Sequence, residues 1–398
     1  MIDQQKRRAS RDSSDSRPES PNLRDQIFDL AARVISRSSR ERPADAVLRA
    51  ELKAARAFPR EASADVSHCV FTYFRWLGWL NKTQPIDLQI REALRLNGRF
   101  QREPETFNDA QLLERNLPAW VSGEMGLNAE LVRALQAKPR LWLRAHSNHG
   151  KPLATALGNC QPFSPDLPDA LEYSGDEDLF RSPEFQAGEF EVQDISSQAV
   201  GLVCAPHKGE TWWDTCAGEG GKLLHLSDLM ENGGLIWASD RAEWRLRILK
   251  RRAARAKAFN YRAVIWDGGA RPPTRTKFDG VLIDAPCSGV GTWGRNPHAR
   301  WTTIPEDVKE LAEIQSALLR HAAPAVKPGG KVIYSVCSLF RLETEHVATT
   351  FENEFSEFEP LPLSNPLSSR RAAENRLWIQ PQDFDGNGMF IAAWRRAR

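Results

Sequence analysis

No stretch of eighteen apolar residues occurs in this 398-residue chain, so the sequence offers no hydrophobic membrane-spanning helix. The opening residues, MIDQQKRRASRDSSDSRPESPN, lack the apolar core of a secretion signal. A soluble, cytoplasmic protein is therefore expected. The six cysteines, Cys69, Cys160, Cys204, Cys216, Cys287 and Cys337, include no CxxC pair. That spacing speaks against a zinc site or a disulfide framework, and no metal is expected. A charge excess is missing too: 54 Lys and Arg stand against 52 Asp and Glu, a formal net charge of +2. Any nucleic-acid signal must then come from local clustering. Neither the P-loop spacing GxxxxGK(S/T) nor the GxGxxG fingerprint is present.

The length predicts two or three domains. Residues 1–22 are rich in Ser, Arg, Asp and Pro and read as a disordered tail, its Lys6-Arg7-Arg8 cluster solvated. Over residues 23–121 the pattern is helical: Ile27, Leu30, Ala31 and Val34 share one face, as do Val66, Val70, Phe74 and Leu77. Asp65 is a candidate cap for the second of these helices, and Gly98 closes a third that carries Leu88, Ile90 and Leu94. The aromatic stretch Thr72–Asn81, with Arg75, has the spacing of a packed core, although such residues also stack on RNA bases. Residues 122–200 read as a small α+β connector with a strand over Leu141–Asn148. There Arg144 and Asn148 are either RNA contacts or ordinary surface residues.

From 201 to 398 strands and helices alternate, which predicts a parallel sheet wound with helices. Expected strands cover 211–214, 235–239, 263–266, 281–283 and 332–336, and a closing antiparallel hairpin takes 377–379 with 389–394. Two apolar runs, Val281-Leu282-Ile283 and Val332-Ile333-Tyr334, are each followed closely by a cysteine, Cys287 and Cys337, fifty residues apart. Carboxyl ends of strands border the ligand crevice of an open α/β sheet. Both thiols share one pocket if these strands are neighbours.

Residues 214–222, DTCAGEGGK, form a strand-to-helix turn in which Cys216, Ala217, Gly218, Glu219, Gly220, Gly221 and Lys222 are candidate ligand contacts. Asp240 and Asp267 end the next two strands, suited to ribose hydroxyls and an adenine edge. A glycine turn with acids after successive strands points to an adenosine-containing cofactor. The stretch from Arg241 to Arg262 carries nine basic residues and one acid, Glu243. It reads as a phosphate-binding stripe or as the solvated face of a packed helix. Arg295, His298, Arg300 and Trp301 follow the Cys287 loop and are candidates for guiding an unstacked base.

These motifs resemble the Sun/Nop-type RNA cytosine-carbon-5 methyltransferases of the bacterial ribosomal-RNA branch. The resemblance covers nearly the whole chain and rests on 284–289 (DAPCSG), 335–338 (SVCS), 214–222 and the lead-in 188–197 (GEFEVQDISS). The family more often has Ala-Pro where Gly218-Glu219 stand here. The resemblance implies a Rossmann-like class I methyltransferase sheet preceded by an all-α NusB-like RNA-binding domain and an RRM-like α+β connector. It implies S-adenosylmethionine as cofactor, with Asp284 among its contacts, and RNA as partner, ribosomal RNA first. It implies Cys337 as the nucleophile on carbon 6, Cys287 as the thiol that assists release, Asp284 on the base and Lys222 as an active-site cation. Cys69, Cys160 and Cys204 are expected to be inert, and Cys216 to line the cofactor loop without reacting. The alternatives are a transfer-RNA methyltransferase, a DNA cytosine enzyme, and a non-catalytic assembly factor that keeps the fold.

Overall fold

Apolar residues three and four apart fold the first third of the chain into helices, here Leu23–Arg37, Ala44–Ala54, Ser63–Trp76, Ile86–Arg102, Asp109–Arg115, Val121–Glu124 and Ala129–Gln136. The computed structural model describes residues 22–55, 58–146, 148–368 and 375–398, so the tail expected over 1–22 lies, apart from Asn22, outside the described residues. Leu30, Val34, Val66, Val70, Ile90 and Leu96 meet in one core. The Thr72–Asn81 stretch belongs to it: Trp76 and Trp79 pack with Phe100 and Phe107, ring centroids 5.2 to 5.8 Å apart. Two local expectations fail. The second apolar helix begins at Ser63, so Asp65 sits inside its first turn, where its charge favours the helix N-terminus without capping it. Gly98 does not close its helix, which continues to Arg102.

The helical run extends past position 121 to Gln136 before the first sheet. That sheet is formed by β1 (Leu141–Ala145), β2 (Cys160–Ser164), β3 (Leu167–Tyr173) and β4 (Phe190–Val192), in the antiparallel order β2-β3-β1-β4. The helix Ile195–Cys204 runs across the expected boundary at 200/201. Its Gln198 donates to the Leu143 carbonyl (3.1 Å), while Ile195, Ala199 and Val200 pack on the large sheet.

The large sheet contains β5 (Thr211–Asp214), β6 (Leu235–Asp240), β7 (Tyr261–Ile265), β8 (Phe278–Asp284), β9 (Val326–Val336), β10 (Phe358–Pro360), β11 (Arg376–Ile379) and β12 (Met389–Arg396). Its order is β10-β12-β9-β8-β5-β6-β7, with β11 paired to β12. The five strands β5 to β9 are parallel, and β10 to β12 add the antiparallel edge. The chain moves outward from β5 to β7, then returns to the other side of β5 for β8 and β9. The order therefore reverses between β5 and β8, and a crevice opens at their carboxyl ends. Both faces are covered, which is why the β8 run is continuously apolar. Leu282 meets the helices Gly221–Leu229 and Glu243–Arg255. Val281 and Ile283 meet Pro305–Ala322 and Glu345–Glu354. No helix among the described residues is long and apolar enough to cross a membrane.

Candidate active site

β8 and β9 are hydrogen-bonded neighbours, with Asp284 in register with Ser335. Their continuations therefore run side by side, and the sulfurs of Cys287 and Cys337 lie 3.3 Å apart. At this separation the two thiols share a hydrogen bond in which either sulfur can donate, and the contact holds Cys337 below the ordinary thiol range. The same contact, with burial, holds Cys287 well above it. Lys222 adds a positive charge in favour of the Cys337 thiolate, while burial and the Asp284 and Glu343 carboxylates oppose it. These opposite directions favour the proton on Cys287 and the thiolate on Cys337.

Lys222 opens the helix Gly221–Leu229 and donates to Asp284 Oδ2 at 2.7 Å. Burial works against its charge, but Asp284 outweighs burial and holds the ammonium above its ordinary range. The other Asp284 oxygen accepts from the Ser335 hydroxyl at 2.9 Å. The carboxylate is thus fixed at both oxygens, with its side chain still 30% exposed.

The sulfurs border a cleft of about 470 Å³ at the carboxyl ends of the parallel strands. It is lined by Cys216, Ala217, Gly218, Glu219, Gly221, Lys222, Asp240, Asp267, Asp284, Cys287 and Cys337. Gly220 is not among them. Its φ of 90° turns the chain into the helix, and a Cβ there would meet Leu249 Cγ at 2.8 Å. Gly220 therefore shapes the turn from which its neighbours line the cleft. Asp240 accepts from the Gly218 and Ala242 amides at 3.0 and 2.8 Å. It both holds the glycine loop and faces the cleft. Asp267 accepts from the Gly269 amide at 2.9 Å and is otherwise exposed. The Gly218-Glu219 pair leaves the loop tied down, because Arg252 donates to the Glu219 carbonyl at 3.1 Å. Burial pushes the Cys216 thiol up to about 12, and Cys69 and Cys160 up to about 11. Cys204 rises further still for the same reason.

Asp214, at the end of β5, opens the 214–222 turn, and the sequence pattern does not mark it as a ligand contact. It lines the cleft and is almost fully buried. Apart from the pull of the Cys216 backbone amide, neither of its oxygens has a hydrogen-bonding partner. Burial, then the Asp284 charge, pushes its carboxyl up to about 8. Such a group suits a cationic ligand, which would ionise it.

Four other candidates lie elsewhere. Arg300 is fully buried in the seam between the helical region and the sheet. It donates to the carbonyls of Asn116 (3.2 Å) and Leu135 (2.9 Å) and to Gln136 Oε1 (2.7 Å). His298 packs edge-on to Phe74, and Trp301 donates to the Phe74 carbonyl at 2.7 Å. Arg295 pairs with Asp194 at 3.0 Å. His298, Arg300 and Trp301 join the cysteine loop to the N-terminal helices, Arg295 joins it to Asp194 and Asn387, and none of the four is free to guide a base. Arg300→Ala is accordingly expected to cost about 3 kcal/mol or more of stability, by leaving several buried acceptors unpaired. Thermal unfolding checks this, and RNA affinity per folded molecule should not change. Arg144 is neither an RNA contact nor a surface residue: it is buried, paired with Asp228 and bonded to Gln193 Oε1 at 2.7 Å. Within the basic helix Glu243–Arg255, Arg252 and Arg255 turn inward to Glu191, leaving Arg247, Lys250 and Arg251 exposed.

Residues 201–395 match the family described as 16S rRNA methyltransferase RsmB/F. The probable ribosomal RNA small subunit methyltransferase B of Bacillus subtilis (strain 168) is 37% identical over 218 residues, 53% of this chain and 49% of that protein. The chain thus spans about half the length of that relative. The ribosomal RNA small subunit methyltransferase B of Salmonella paratyphi B is 31% identical over 314 residues, 74% of this chain and 70% of that protein. The crystal structure of PH0851 has the same fold, with a TM-score of 0.73 at 23% identity, covering 92% of this chain and 98% of that one.

Proposed function

The chain belongs to the RsmB/F branch of the Sun/Nop methyltransferase family, and from that membership we propose that it methylates carbon 5 of a cytosine in 16S ribosomal RNA. The observation that carries the reading is the pair of sulfurs 3.3 Å apart at the edge of the cleft that the glycine loop lines. S-adenosylmethionine would supply an electrophilic methyl group on a cationic sulfur. Asp240 would hold its ribose, Asp267 its adenine edge, and the buried Asp214 carboxylate the ammonium of its amino-acid end. Carbon 5 of cytosine is a weak nucleophile. Addition of the Cys337 thiolate to carbon 6 breaks the ring conjugation and makes carbon 5 enamine-like. After methylation a base such as water takes the carbon 5 proton, its bonding pair re-forms the ring double bond, and the bond to Cys337 breaks with its pair returning to sulfur. Cys287 assists this release. Asp284, oriented by Lys222 and Ser335, would bond to the polar edge of the base. The base has to be extruded or single-stranded to enter.

Two measurements test the reading. Tritium from methyl-labelled S-adenosylmethionine should enter RNA and not DNA, and transfer to DNA alone would favour the DNA enzyme. Bisulfite sequencing of RNA from cells with and without the gene should lose a 5-methylcytosine in 16S ribosomal RNA. A loss confined to transfer RNA would move the substrate assignment, and no loss together with no transfer would favour the assembly factor.

Cofactor affinity should depend on pH through Asp214. Below about pH 8 the free carboxyl is protonated, and a cation favours its ionised form, so binding releases a proton. Affinity should therefore rise with pH, by up to about tenfold per unit, and level off above about pH 8. Calorimetry across this range checks it, and Asp214→Asn should flatten the profile.

A further inference from the structure

Cys287 and Cys337 are each followed by a serine, and both serine hydroxyls bond to one carboxylate. Ser288 Oγ and Ser338 Oγ each donate to Glu343 Oε2 at 2.5 Å, and lie 3.2 Å from one another. The Ser288 amide donates to Glu343 Oε1 at 2.8 Å, and Gln315 Nε2 to the same oxygen at 3.0 Å. Glu343 is fully buried in the short turn Arg341–Glu343 and does not line the cleft. Its own backbone is anchored as well, since the Tyr334 hydroxyl donates to its carbonyl at 2.6 Å. Gln315, from the helix Pro305–Ala322, also donates to the Pro286 carbonyl at 2.9 Å. One carboxylate thus joins the loop after β8, the loop after β9 and the helix covering them.

We propose that Glu343 is a positioning residue that ties the two cysteine loops together and sets the sulfur–sulfur separation on which release of the methylated base depends. The inference rests on the methyl-transfer reading above. A buried carboxylate with four donors is satisfied only where all four converge, so its presence selects one arrangement of the two loops. Without it, each serine loses its acceptor and the loops are joined only through the sheet register. A displacement of about 1 Å at a reacting group can cost about 10²-fold in rate. The charge also acts on the thiols. Lys222 and the hydrogen bond shared with Cys287 favour the Cys337 thiolate, while Asp284 and Glu343 oppose it.

Two variants separate geometry from charge. Glu343→Asp keeps the charge but is one methylene too short to reach all four donors. Glu343→Gln keeps the length, removes the charge and sets an amide against donors. In both, kcat for RNA methylation should fall about tenfold or more with KM for RNA unchanged, and a covalent protein–RNA adduct should accumulate. In both variants displacement of the sulfurs weakens the Cys287–Cys337 hydrogen bond, so the pH midpoint for iodoacetamide alkylation of Cys337 should move upward, less in Glu343→Gln because the opposing charge is removed as well; this readout needs no RNA. If either folded variant keeps wild-type kcat, the proposal fails. It fails equally if activity falls only in proportion to folded protein and neither adduct nor alkylation changes. Wild-type enzyme that transfers no methyl group to RNA would instead overturn the functional reading. In that case an alkylation midpoint unmoved in Glu343→Asp would sink the positioning role as well.

Discussion

Cys337→Ala is expected to reduce methyl transfer to RNA by about 10⁴-fold or more, because no other group near carbon 6 of the base is a prepared nucleophile. The contact with Cys337, with burial, holds the neighbouring Cys287 well above the ordinary thiol range, and burial pushes the Cys216 thiol up to about 12. Neither offers a substitute thiolate at neutral pH. The change removes one partly exposed sulfur at the edge of the cleft, so the fold and cofactor binding should persist. Rapid-quench assays with labelled S-adenosylmethionine, alongside calorimetric cofactor binding, measure the two effects separately. A folded Cys337→Ala protein with wild-type activity would remove the nucleophile assignment.

Cys287→Ala is expected to do the opposite to the covalent intermediate: the adduct should form and then persist. With Cys337 able to attack but release unassisted, up to about one RNA per protein should be retained on denaturing gels, with steady-state turnover falling about 10²-fold or more. The sign of the pH effect follows from the shared proton. Loss of the Cys287 contact raises the Cys337 thiol, so adduct formation should need higher pH than alkylation of the wild-type thiol does. The double variant should form no adduct. Undiminished turnover of Cys287→Ala without adduct would end its proposed role in release.

Residues whose function depends on their own strand and the loop after it were legible in the sequence. The β8 and β9 runs, the turn of residues 214–222 and the acids at 240 and 267 all lie near strand ends, and parallel strands carry such residues to one edge of the sheet. Gly220 was less legible, because a glycine in a ligand loop can serve the backbone turn or the ligand, and its φ of 90° shows the turn it makes. Arg295, His298, Arg300 and Trp301 misled for another reason. They follow a reactive cysteine in sequence, yet their partners are Asp194, Phe74, Asn116 and Gln136, from distant parts of the chain. Glu343 gave little signal by itself, although the repeated Cys-Ser pairs at 287–288 and 337–338 hinted at a common partner.

By itself the sequence determined the parallel α/β sheet, the strand ends carrying the cysteines and the glycine turn, because periodicity, apolar runs and turn residues are local properties. Tertiary structure alone decided that β8 and β9 are neighbours, that the two sulfurs touch, and which carboxylates are left unpaired or shared. Those outcomes depend on distances between segments far apart in the chain, and a hydrogen bond or charge interaction acts only once folding has set that distance.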